Sequence, residues 1–409
     1  MLQMPMFPLP PSGPRRLNFT VREISGRYDR RRLVRFAAKL YRGDRYWAPG
    51  IVSERMRALD PKRNPALANI SLGLFMAESR TLDDIVGTIA VWADDRDLDA
   101  RPSRRAGAWG LFESINEEEV VSSLLETAET WVREHVGGIK VLRGPMELDL
   151  LRSPGLLVDG YNRRPAALMP YNPPFYAELI ETSRYAPGPE LVAYQLDLSA
   201  LKDPQGAGRW PRQDEGMAGP STHDVVVRDA GEEANWRTLL GDAGQESLAA
   251  TWRVGPESQE ISFPDLVTRL GGITAQHRAA VFLIARDRER GDVVAFAVAV
   301  PNAGEPWLLA HARRLAGRWR GPSPQGHRGV SRAASRAGIH LMPAIIRMDC
   351  LDWGLEELLL TELLAEASRR GYAQAEVSPV PAGDSETRER LAALGASPSK
   401  TYRIYEKRF

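Results

Sequence analysis

A single cysteine, Cys350, stands in 409 residues, so no internal disulfide can form. With six scattered histidines and no second thiol, the chain holds no Cys/His cluster at metal-site spacing, and no metal is expected. No uninterrupted run of about 18 apolar residues occurs, which excludes a membrane-spanning helix and leaves no membrane partner expected. The apolar opening, Met1 to Pro11, is broken by prolines and preceded by no basic residue, so it does not read as a signal peptide but as a flexible tail over 1–17. These absences point to a reducing, cytoplasmic compartment. Lysine is scarce too: nearly all of the 54 basic residues are arginine, and against 53 acidic ones they leave a net charge of +1, too little for a global nucleic-acid-binding field.

What is present is ordinary core material, 43% hydrophobic residues, in a length that suits two or three domains. Residues 19–24 read as a strand, and a basic amphipathic helix opened by Asp29 runs to about Leu40. After a loop at 60–65, the segments 73–78 and 85–92 form a hairpin about Asp83-Asp84. A strand at 107–113 follows. Asn116 then caps a helix from Glu117 to about His135, with apolar residues at 120, 121, 124, 125, 128 and 131, and a strand returns at 140–142.

The breaker-rich stretch 201–222 reads as an interdomain linker between a first domain, 18–200, and a second, 223–409. The second repeats the element order: a strand at 223–228, a helical stretch at 232–249, a hairpin from 279–286 and 293–300, and a strand at 344–348. A periodic helix at 354–370, a strand at 373–377, a helix at 385–394 and a final strand at 400–406 complete it. The shared order without residue identity argues for a duplicated α/β (α+β) fold, with mixed, mostly antiparallel sheets flanked by helices.

Particular segments carry a resemblance: Leu40 to Pro49, Leu59 to Pro65, Arg143-Gly144-Pro145-Met146, Gly155 to Tyr161, Met169 to Tyr176, and Lys400 to Lys407. From about residue 18 to the C-terminus the sequence resembles a family of tandem GNAT-fold N-acetyltransferases. The resemblance implies two consecutive GNAT units, each with two parallel strands splayed to admit an acyl thioester beside an amine. It also implies acyl-CoA as donor, its pyrophosphate seated at a glycine-rich turn opening the central helix.

Both turns depart from that pattern. In the second half, Cys350-Leu351-Asp352-Trp353-Gly354-Leu355-Glu356-Glu357 keeps only Gly354, followed by Leu355, as cofactor-binding candidates, and sets Asp352, Glu356 and Glu357 where pyrophosphate would sit. In the first half, Ser114 to Glu119 is acidic and has no glycine, so that half reads as a helper domain.

Acyl transfer to an amine needs a base, a donor to the leaving group and N–H groups at the oxyanion. Glu113, closing an apolar strand, stands where GNAT enzymes carry a base; it also reads as a plain strand-end carboxylate. Asp159 either positions an amine or serves an Asp-Gly turn. Tyr171 and Asn172, before two prolines, form either a pocket wall or a structural corner. Tyr402 and Tyr405 face opposite sides of a strand, and Tyr402 is the candidate general acid. Arg143, Tyr161 and Tyr176 join Asn172 as substrate-binding candidates. A basic insertion over 307–340, with Arg313, Arg314, Arg318 and Arg320 and no acid between His311 and His340, either tracks a phosphate backbone or is a solvated insertion.

The leading functional expectation is acyl transfer to an amine of a small molecule. Two others stand beside it. An aminoacyl-tRNA-dependent transferase would account for both the altered turns and a tRNA partner, and a non-catalytic binding protein would account for the missing glycines.

Overall fold

The computed structural model describes residues 17–47, 52–94, 105–148, 154–200, 223–229, 250–254, 259–263, 266, 269–271, 273, 280–302 and 338–409. The linker 201–222, the helical stretch 232–249 and insertion residues 307–337 lie outside these. The chain divides into two compact units, Met1–Leu191 with Lys400–Phe409, and Val192–Ser399. The final strand, which the sequence order assigns to the second half, therefore belongs to the first.

In the first unit, β1 (Phe19–Glu23), β2 (Ile70–Ser79), β3 (Asp84–Asp94) and β4 (Ala106–Ser114) pair antiparallel in that order. Next, β4 pairs parallel with β5 (Val141–Met146), and β5 pairs antiparallel with the C-terminal strand. The crossover between β4 and β5 is the helix Glu118–His135, whose Val120, Val121, Leu124, Leu125, Ala128 and Val132 are buried against one sheet face. The opposite face carries α1 (Arg27–Leu40), through Leu33, Val34 and Phe36 packed on Met76, Ala90 and Trp92. A short helix, α2 (Val52–Ala58), is tied to α1 where Arg30 donates to the Leu59 carbonyl at 3.0 Å. We number the crossover helix α3. Its N-cap is Glu117, in extended conformation and without a side-chain capping bond, rather than the expected Asn116.

Beyond the short helix α4 (Tyr176–Thr182), a twelve-residue strand, β7 (Ala186–Asp197), carries the chain toward the second unit. Its opening Ala186-Pro187-Gly188-Pro189 hides it from propensity reading, because two prolines are tolerated only at a strand's start or edge. In order between β5 and the chain's end come β6 (Leu156–Asp159), β8 (His223–Asp229), β9 (Thr251–Val254), β10 (Gln259–Ser262), β11 (Val281–Asp287), β12 (Val293–Pro301), β13 (Gly338–Leu341), β14 (Ile345–Arg347), β15 (Gln374–Pro381) and β16 (Ser397–Arg408). Within the second unit β8, β11, β12 and β13 pair antiparallel, and β13 runs parallel to β15 with α5 (Leu355–Arg369) as the crossover. A further helix, α6 (Ser385–Ala393), is capped by Asp384, which accepts from the Thr387 N–H.

Each unit thus has a parallel strand pair that parts. In the first, β4 and β5 are in register from Ala106↔Val141 to Gly110↔Met146, with a shift at Ala108/Gly110, and Leu111 then takes φ +46°. At Gly110 the strands come so close that a Cβ would lie 2.0 Å from the Met146 carbonyl oxygen. Only glycine permits that approach. Gly110→Ala should therefore force the strands apart and lower stability by about 2 kcal/mol, as overpacking does; urea unfolding of the variant beside wild type measures it.

Candidate functional site

Where β4 leaves β5, the first unit encloses a cavity of about 150 Å³. Leu111, Phe112 and Glu113 of β4 form one wall and Pro145, Met146 and Glu147 the facing one. Val34, Ala37 and Ala38 of α1, with Trp47 and Arg55, close a third side, and Met169 to Asn172 with Tyr176 close the last.

Glu113 is where the cavity's hydrogen bonds converge. Its Oε2 accepts a hydrogen bond from the Tyr41 hydroxyl at 2.8 Å and another from the Tyr176 hydroxyl at 3.0 Å. Both phenols use the same oxygen, so Oε1 is left without a hydrogen-bond partner among the described residues. Burial pushes the Glu113 carboxyl up to about 7; the two phenol bonds and the Arg55 charge pull the other way without cancelling it. Burial, and then the Glu113 carboxylate, hold both Tyr41 and Tyr176 well above the ordinary phenol range, so they remain donors.

The surroundings fix these groups. Tyr176 also accepts from the Ser114 N–H at 2.6 Å, which anchors it to the end of β4. Tyr41 stacks on Trp47, ring centroids 5.1 Å apart at 13°. Asp44 accepts from the Tyr171 hydroxyl at 2.8 Å and from the Tyr46 N–H at 2.8 Å, tying the turn after α1 to the opposite wall.

Four of the residues singled out in the sequence are brought together at this cavity: Glu113, Tyr171, Asn172 and Tyr176. Two of them work as structure. Asn172 accepts from the Leu157 N–H at 2.7 Å and donates to the Leu157 carbonyl at 3.1 Å, so its amide acts as a strand partner for β6. The Tyr171 hydroxyl is committed to Asp44. The others lie elsewhere. Asp159 is exposed at the end of β6, opposite Thr401. Tyr161 donates to the Leu157 carbonyl at 2.6 Å, stapling the turn. Arg143 pairs with Glu406 at 2.7 Å on the exposed side of β5. Tyr402 is fully buried and does not line the cavity, while Tyr405 donates to Glu181 at 3.0 Å.

The sequence reading passed over Tyr41, Asp44, Trp47 and Arg55 as site residues. The signal was the run Tyr41 to Trp47, three aromatics among turn residues directly after a helix, which a solvated loop has no reason to carry.

The turn opening α3 holds Glu117, Glu118 and Glu119, none in an ion pair among the described residues, so it does not fit a pyrophosphate. In the second unit the turn is a 3-10 helix, Met348–Trp353, ended by Gly354 in the left-handed region at φ +68°, and Leu355 is a core residue. The acids there are less hostile than the sequence suggests: Arg253 pairs with Glu356 and Arg390 with Glu357, each at 2.6 Å. Arg313, Arg314, Arg318 and Arg320 lie outside the described residues. Among those residues no cluster suited to a metal ion occurs and no helix is long and apolar enough to cross a membrane.

No family model matches the sequence. The chain is 26% identical over 384 residues to the bacterial ceramide synthase of Caulobacter vibrioides, covering 92% of this chain and 94% of that protein. It is 29% identical over 181 residues to protein YghO of Escherichia coli, a match spanning 44% of this chain and less than half, 45%, of YghO. Among solved structures, a tandem GNAT protein from the clavulanic acid biosynthesis pathway aligns at TM-score 0.50 and 12% identity over 96% of this chain and 98% of its own. A GCN5-related glucosamine N-acetyltransferase region of a fungal multi-domain GH3 beta-N-acetylglucosaminidase aligns at TM-score 0.51 and 12% identity, over 96% of this chain and 38% of that one. At these identities the structural likeness is one of fold.

The Glu113 environment sets a sign for pH dependence. A carboxyl raised from 4.5 to about 7 is more protonated in the folded than in the unfolded chain between those values, so its contribution to stability falls as pH rises through that window and stays lost above it. Relative to wild type, Glu113→Gln should gain melting temperature between pH 5 and pH 8, on the order of a few degrees. Tyr41→Phe removes a bond that favours the carboxylate, so it should move the Glu113 midpoint further up, by about one unit. Carboxyl titration by isotope-edited infrared spectroscopy reads both midpoints directly.

Proposed function

We propose that this chain, which has the tandem GNAT fold, is an N-acyltransferase that joins an acyl group from a thioester to the amine of a long-chain, amphiphilic acceptor, with its acid-base chemistry in the first unit. The observation that carries the reading is Glu113: a carboxyl near neutrality, on the strand that splays away from its parallel neighbour, held by two phenols in a cavity whose walls mix apolar and polar side chains. The full-length relative is named as a ceramide synthase, and a ceramide is the amide of a fatty acyl group with a long-chain amine.

The chemistry follows from this placement. The amine enters as its free base and attacks the thioester carbonyl; a C–N bond forms and the C–S bond breaks. Glu113 Oε1 takes the proton the nitrogen sheds, and the thiolate leaves to be protonated. Past Gly110 the β5-facing edge of β4 has no strand partner among the described residues, so backbone groups there are placed to meet the carbonyl oxygen. Tyr41 and Tyr176 keep the carboxylate oriented, and Arg55 across the cavity favours its ionised form. The donor is an acyl thioester, and the acidic turn opening α3 does not fit the pyrophosphate of a nucleotide carrier. An aminoacyl-tRNA donor rests on the segment 311–340, and nothing among the described residues adds support to it.

The test is direct. Purified protein given a long-chain acyl thioester and a long-chain amino alcohol should release thiol and form amide in equal amounts, with kcat/KM rising with pH to a midpoint near 7. Glu113→Gln should lower turnover by about 10²–10⁴-fold while the fold is retained. Thiol release without amide, or unchanged turnover in Glu113→Gln, would sink the reading.

A further inference from the structure

We infer that the exposed face of α1 is a docking surface for an anionic lipid bilayer, placed to bring the mouth of the cavity against the membrane. No helix among the described residues is long and apolar enough to cross a membrane, which leaves a surface of this kind possible, and the basic character is local. Residues 27–63 hold twelve basic residues against four acidic ones, in a chain whose net charge is only +1.

The structure arranges that excess. Arg27, Arg31 and Arg35 are exposed at i, i+4 spacing, one row along the helix, and exposed Arg42 follows just past its end. None of the four makes an ion pair among the described residues. The helix's other cations behave differently: Arg32 pairs with Asp29 and Glu78, Lys39 pairs with Asp84, and Arg30 is spent on the Leu59 carbonyl. The only acid on α1, Asp29, is taken by Arg22 and Arg32. Like charges at this spacing repel in the free chain, so the row is set up to meet an anionic surface from outside. Beside it stands Tyr28, 76% exposed, with the Arg32 guanidinium 5.9 Å from its ring centre, an aromatic of the kind that settles at the headgroup level.

The row lies along the rim of the cavity. At 100° per residue Ala38 falls on the same strip as Arg27 and Arg31, and Ala38 is both exposed and part of the cavity lining, which continues inward through half-buried Ala37 and buried Val34. A planar anionic surface laid on the row would therefore cover the entrance, and an amphiphilic amine could pass from headgroup level toward Glu113. The choice of a bilayer over a polyanion such as RNA rests on the acyl-transfer reading; the docking itself does not.

The experiment is co-sedimentation of the full chain with phosphatidylcholine vesicles, with and without a one-third share of phosphatidylglycerol. Partition onto the anionic vesicles, weakening with salt, is expected. The triple variant Arg27→Gln, Arg31→Gln, Arg35→Gln should bind on the order of 100-fold more weakly, from about a five-fold attraction per arginine at such a surface. The corresponding triple lysine variant should bind like wild type, and circular dichroism should show both folded. Turnover on a short-chain, water-soluble amine should be unchanged in the glutamine variant, so failure of docking and failure of the acyl-transfer reading are seen separately. Equal binding to neutral and anionic vesicles, no binding to either, undiminished binding by the glutamine variant, or capture of RNA that anionic vesicles do not displace would each overturn the inference.

Discussion

The parting of β4 from β5 just past Gly110 organises the first unit. Until that point the two strands are pressed together as closely as backbones allow, and the missing side chain is what lets them. Beyond it Leu111 turns out of the extended region and, among the described residues, β4 keeps its pairing with β3 alone, through Thr88↔Glu113 and Gly87↔Ser114. A gap opens on the side where β5 would have been. It is filled from both flanks, by α1 with its following turn and by the Pro170 to Tyr176 segment, and what they fail to fill is the cavity. The core therefore ends where the cavity begins, and Glu113 sits on that border.

A carboxylate in such a place is costly unless it is hydrogen-bonded. Two phenols supply the bonds. They are themselves too deeply buried to ionise, so they remain donors wherever the protein is folded. The result is a group balanced between its two protonation states near neutrality, because desolvation exceeds the stabilisation from the two hydroxyls and Arg55. Stronger anchoring would give a permanently ionised, weakly basic carboxylate. Weaker anchoring would give a neutral acid unable to take a proton. Tyr41 and Tyr176 set that balance, and the stack on Trp47 and the Ser114 N–H in turn fix Tyr41 and Tyr176.

Much of this architecture was legible in the sequence, for identifiable reasons. The hairpin over 70–94 and the helix 118–135 are long and periodic, so burial alone picks them out, and Glu113 was placed by its position closing an apolar strand. The partners of Glu113 were not, since Tyr41 and Tyr176 lie 72 and 63 residues from it and only the fold joins them. Tyr171 and Asn172 were read as either a pocket wall or a structural corner, and they are both, lining the cavity while their polar groups are consumed by Asp44 and β6; those partners lie across the chain and leave no local trace. The strand β7 was hidden by its prolines. The membership of Lys400–Phe409 in the first unit was hidden because element order says nothing of exchange between units; its evidence is the pairing of Lys407 with the buried Glu129 at 2.7 Å and of Tyr405 opposite Gly144.

The two units repeat one plan, yet their splayed strands end in opposite chemistry. In the first, the strand that leaves its parallel neighbour ends at a carboxyl open to a cavity. In the second, β13 is interrupted at Met342–Ala344 and continues as β14, which ends at Arg347, only 3% exposed and paired with Asp349 at 2.7 Å. A cation that deep, already matched to an acid, has no lone pair to accept a proton. Around it Cys350 is driven up to about 11 by burial, so that thiol stays protonated and unreactive at neutral pH. The first turn of α5 has its glutamates paired by Arg253 and Arg390, which leaves that helix start closer to neutral than the triple-glutamate start of α3. The cavity carboxyl thus belongs to the first unit, whereas in the second, among the described residues, the ionisable groups at the corresponding strand end and helix start are paired with one another.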